Sequence, residues 1–173
     1  MSTYLYLLTR AQRVMFDSAI VAPDALTFAW PNISAVRDLA YTRTLPLRQN
    51  LGQFLSRYAP PLIIGALKQV TIRHRAQLAA EASCLLGWVK KGLVRAGAKL
   101  DKSIAFAVTP EKCPGCFSME FAYADPKKIF RWSADLTQDH AEFTGDLGTG
   151  RTVLVLGAHF LAPEMALSEA MFF

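Results

Sequence analysis

At 173 residues and 19.1 kDa, with 52% hydrophobic and 19% charged residues, the chain has a packed globular composition that excludes disordered, collagen-like and low-complexity classes. Its longest charge-free runs, Ala25–Val36, Tyr58–Leu67 and Thr152–Pro163, fall short of the ~20 apolar residues that cross a bilayer, so no membrane partner is expected. The net charge is +5, three cysteines are too few for a disulfide framework, and Met1-Ser-Thr-Tyr lacks the basic start of a signal peptide, so a reducing, cytoplasmic setting is expected.

Taken in chain order, Tyr4–Leu8 reads as a strand or the start of a helix, and Ala25–Trp30 as a strand ended by Pro31. Asn32 and Ser34 could cap a short helix through Leu39, ahead of a turn over Thr42–Gln49, and Asn50 could cap a helix over Leu51–Tyr58. Pro60-Pro61 ends that segment, and Pro61 suits the first turn of the next. From Leu62 to about Leu100 the chain is rich in Ala, Leu, Lys and Gln, which favours helix.

Near residue 102 the hydrophobic period changes to two. Ser103–Val108 reads as a strand, Phe117, Met119, Phe121 and Tyr123 would share one strand face, and Phe130 and Trp132 one face of the next, after a turn at Asp125-Pro126. His140–Thr144 alternates again, Thr152–Phe160 is nearly all apolar and reads as a central strand covered on both sides, and Pro163-Glu164 starts a terminal helix. The expected fold is therefore α+β. A mainly helical basic region at 1–102, with a candidate helix-turn-helix, precedes a β-rich region at 103–173, an antiparallel meander of about five strands with a C-terminal helix. The two regions could form one domain.

Charge is unevenly spread. Residues 66–102 hold eight Lys and Arg against Glu81 and Asp101, whereas residues 103–173 hold five against nine acids. Within the basic third, Gln77–Leu93 resembles the helix-turn-helix pattern of bacterial DNA-binding domains. Ala79 stands at the small position of the first helix, Ala82 and Cys84 flank the turn, and Val89 and Leu93 point inward from the second helix. That resemblance implies a second helix lying in the major groove, with Lys90, Lys91, Arg95 and Lys99 facing outward and Arg73 and Arg75 beside the backbone. Ser83 stands where the pattern usually has Gly, Leu85 where it usually has a capping Ser or Thr. The competing reading is one continuous helix whose Ala and Leu residues pack in a core.

Cys113-Pro-Gly-Cys116 places two sulfurs two residues apart across a turn, a spacing that can grip one zinc ion if further ligands join. Cys84, His74, His140 and His159 are the remaining candidates, and none forms a second close pair. The alternative is a tight turn with two thiols. Gly145-Asp-Leu-Gly-Thr-Gly-Arg-Thr152 has phosphate-loop spacing, but it precedes a strand rather than opening a helix, so it reads as a hairpin turn. There is no His-Glu-x-x-His or Gly-x-Ser-x-Gly, and Asp135, Asp139, His140 and Glu142 read as turn and surface-strand residues.

Two functions follow as expectations. The first is a non-catalytic nucleic-acid-binding subunit of a nucleoprotein assembly, using Arg73, Arg75, Lys90, Lys91, Arg95 and Lys99. The second is a structural or interaction protein without a nucleic-acid role, with a protein partner or a second copy of itself covering apolar surface. A mean hydropathy of +0.21 motivates the latter, since large exposed apolar patches are rare on monomers.

Overall fold

Alternation of apolar side chains downstream of residue 103 marks most of a six-stranded sheet in the computed structural model, which describes residues 4–100, 103–112 and 116–173. Strands β5 (Cys116–Tyr123), β6 (Ile129–Asp135), β7 (His140–Asp146) and β8 (Thr152–Leu156) form the expected antiparallel meander. Across it, Met119 pairs with Trp132, Trp132 with Phe143 and Phe143 with Leu154, one row on the inner face. Trp132, Phe117, Phe130 and Phe143 are wholly buried. The hairpin between β7 and β8 turns through Gly148 and Gly150 at φ 97° and 98°, a region that favours glycine.

The first correction concerns residues 62–100. Helix α5 (Pro60–Ile64) stops early, and Leu67–His74 is strand β3, paired antiparallel with β5. Val70, Thr71 and Ile72 are β-branched and suit a pleated surface. Val70 and Ile72 enter the core against Phe121 and Met119. Pairing with a distant strand thus overrides the helix preference of the surrounding Lys and Gln. The strand β4 (Ala105–Pro110) lies beside β3 and parallel to it; a helical crossover joins them, as a parallel pair requires. The sheet order is β4-β3-β5-β6-β7-β8, so the apolar run from Thr152 is an edge strand ending at Leu156, not a central one, and Val153 and Val155 stay exposed on its outer face. A strand from the first region therefore sits between two strands of the second.

That crossover is α6 (Ala79–Arg95), one uninterrupted helix of 17 residues, so the helix-turn-helix expectation is corrected. Ser83, at the expected turn, is inside the helix and its hydroxyl donates to the Ala79 carbonyl at 2.8 Å. Without a glycine there, nothing breaks the ladder. Ala82, Leu85, Leu86, Val89 and Leu93 are buried at helical spacing. Helix α4 (Leu45–Leu55) covers the β6–β7 side of the same face, where Phe54 stacks on Phe143 at 5.0 Å between ring centres.

The other departures lie near the N-terminus. Leu5–Arg10 is helix α1, followed by a two-stranded parallel sheet of β1 (Val14–Phe16) and β2 (Val36–Asp38). Pro23–Thr27 forms α2 rather than a strand, since Pro23 fits a first helical turn. The expected turn over 42–49 is instead the junction of α3 (Leu39–Arg43) with α4. Asn50 is inside α4, not a cap, and its side chain donates to the Gly157 carbonyl at 2.8 Å. The expected C-terminal helix is α7 (Pro163–Phe172), seated through Ala166 and Ala170. No helix among the described residues is long and apolar enough to cross a membrane.

Candidate functional site

The C-terminal half of α6 gathers three of the six expected contact residues. Lys90, Lys91 and Arg95 line a shallow depression of about 290 Å³ with Val94 and Leu100. Helical phase explains this: Val89 and Leu93 face the core, so Lys91 and Arg95, one turn apart, face solvent. Lys90 flanks them half-buried, its Nζ 4.7 Å from the centre of the Phe106 ring on β4. Lys99 lies exposed just beyond the helix. No ion pair engages these four cations among the described residues.

Arg73 and Arg75 are placed differently. Arg73 is on the outer face of the sheet, bonded to Glu120 at 2.9 Å and 3.7 Å from Glu111. Glu120 also accepts from Arg131 at 3.0 Å, and these two guanidiniums hold its carboxyl below the usual range. Arg75 follows β3 half-buried, with its Nε enclosed. Neither joins the α6 depression.

Of the expected zinc pair, Cys113 lies outside the described residues. Cys116 opens β5 and is disulfide-bonded, and a sulfur so held offers no thiolate to zinc. No group of three or more His, Cys, Asp or Glu among the described residues stands close enough to hold a metal. Asp135 and His140 face each other across the β6–β7 turn. Asp135 accepts from the Thr137 hydroxyl at 2.6 Å and its amide at 2.9 Å, which lowers the Asp135 pKa. These are the bonds of an Asx turn.

An ionic cluster that sequence reasoning missed joins three elements. Arg43, ending α3, donates to Asp17 at 2.6 and 3.0 Å and to Glu81 of α6 at 2.6 and 3.1 Å. Glu81 is only 4% exposed, and its Oε2 has no partner. Asp17 is held below the ordinary carboxylate range mainly by the hydrogen bond from Arg43, whose own pKa is raised mainly by Asp17. Beside it, Asp38 caps α3 by accepting from the Ala40 amide at 3.0 Å, and also accepts from the Ser18 amide and the Cys84 thiol. Burial, reinforced by Asp38, pushes the Cys84 thiol up to about 12. It is therefore protonated at neutral pH and is no nucleophile. The cluster fastens the N-terminal segment to α6. Its one local sequence signal is Glu81, an acid at the buried phase of an Ala- and Leu-rich helix.

Comparison with protein-family models, curated proteins and solved structures found no match to this chain.

Proposed function

We propose that the protein binds nucleic acid non-catalytically through the phosphate backbone, using Lys90, Lys91 and Arg95 at the end of α6 with Lys99 beyond it. The supporting observation is that these cations cluster without an ion-pair partner among the described residues, whereas Arg43, Arg73 and Arg131 are all engaged by acids. Cations without an acidic partner can release counterions from a polyanion. With no separate recognition helix, the reading is one of phosphate contact rather than groove readout.

The test is a salt titration with duplex DNA, single-stranded DNA and RNA oligonucleotides of equal length. Lys91→Ala/Arg95→Ala should weaken binding and flatten the log–log salt slope by about one unit per lost contact. Its stability should change by no more than ~0.5 kcal/mol, because both side chains face solvent. No affinity at low salt, or an unchanged slope in the folded variant, removes this reading.

A second reading, a structural subunit held by apolar contacts, is favoured by α1. That helix buries no residue, and Leu5, Tyr6 and Leu7 are 48–66% exposed on it, with Tyr4 just before it 63% exposed.

A further inference from the structure

The outer face of the sheet changes character at one edge. Thr71, Glu120, Arg131 and Thr144 form one row across β3, β5, β6 and β7, and Arg73, Ser118, Ser133 and Glu142 form the next. Both rows are polar until they reach β8, where they end in Val153 and Val155, 54% and 52% exposed. Among the described residues the β8 strand pairs only with β7, so its other side presents a row of unpaired backbone donors and acceptors. Native edges are usually protected by charge, proline or a bulge. The opposite edge strand, β4, ends in Pro110 and runs into Glu111 and Lys112. Thr152-Val-Leu-Val-Leu156 carries neither charge nor proline, and its pairing with β7 runs without a register shift.

We infer that the β8 edge is a homodimerisation surface, where β8 of a second copy adds antiparallel across a two-fold axis at Leu154. The exposed backbone row identifies the occupant as an extended strand. Self-complementarity identifies that strand as β8 itself. A two-fold at Leu154 sets Val153 opposite Val155 of the other copy on the outer face, and Thr152 opposite Leu156 on the inner one. The four valines form one cross-strand cluster, with like charges nowhere opposed within the paired strands. Both sheets join into one, and the exposed valines lose their water contact. This surface is separate from the α6 cations and does not depend on their binding nucleic acid.

The test uses the full chain. Sedimentation across micromolar concentrations should show a monomer–dimer equilibrium, with backbone amides of residues 152–156 gaining exchange protection as dimer forms. Val153→Lys/Val155→Lys should remain folded, since both side chains face solvent, and should dimerise about tenfold more weakly or less, because introduced ammonium groups face each other across the axis. Val153→Glu/Val155→Glu should behave likewise. An equimolar mixture of the two variants should restore a one-to-one dimer. A wild-type chain that stays monomeric, a lysine variant that dimerises as tightly as wild type, or a mixture that fails to associate would each overturn the inference. Capture of an extended peptide along β8 by a chain that stays monomeric would overturn it too.

Discussion

Replacing Arg43 by Met tests whether the buried ionic cluster holds the N-terminal segment to the core. The substitution keeps an apolar stem but removes all four guanidinium hydrogen bonds to Asp17 and Glu81. Glu81, 4% exposed, then has neither oxygen partnered. Breaking a buried pair from one side costs about 3–5 kcal/mol. The lower end, about 3 kcal/mol, applies because Asp17 keeps 15% side-chain exposure and its bond from the Ala19 amide. That is a large share of the ~5–15 kcal/mol typical of a domain. The sign with pH is fixed. Asp17 has a lowered native pKa, so its contribution is complete above the unfolded value of ~3.9 and is lost as pH falls through the native value. The gap between wild type and Arg43→Met is therefore widest at neutral pH and narrows in acid. Urea unfolding followed by tryptophan fluorescence, at about pH 7 and about pH 2, measures it. Arg43→Met/Glu81→Leu should recover more than half of the neutral-pH loss, because the nearly fully buried Glu81 carboxylate is then gone and only the part-exposed Asp17 remains unpaired. A loss below about 1 kcal/mol at neutral pH, or an equal loss at both pH values, refutes the reasoning.

Two further outcomes are expected. Phe54→Ala removes a wholly buried ring that stacks on Phe143 and approaches Phe130 at 5.8 Å; it should cost about 3–5 kcal/mol in chemical denaturation, and less than 1.5 kcal/mol would mean the helix–sheet contact repacks. Cys84, its thiol held at about 12, should react with iodoacetamide far more slowly than a free cysteine peptide at neutral pH, and at the peptide's rate once urea unfolds the chain; rapid labelling of the native protein would contradict the burial.

What could be read directly from the residues was local. The period-two runs around Phe117–Tyr123 and Phe130–Trp132 and the Asp125-Pro126 turn announce a meander, because each strand pairs with its neighbour in sequence and faces one core. Pro163-Glu164 announces α7 by the same local logic. The outward direction of Lys91 and Arg95 follows from 3.6 residues per turn once Val89 and Leu93 are taken as buried. Leu67–His74 was illegible because its partner, β5, lies far along the chain, and composition alone favours helix there. The continuity of α6 was undecided for a related reason. Ala and Leu at helical spacing satisfy both a core helix and a helix-turn-helix, and only packing across β3 and β4 selects one. Arg73 looked as free as Arg95 in sequence, yet the β3–β5 register brings Glu120 to it. The Asp17–Arg43–Glu81 cluster has no spacing signature at all, since it joins a loop, the end of α3 and the first turn of α6. Short-range periodicity sets which faces are apolar, whereas which distant charges and strands meet depends on the packing free energy of the whole chain.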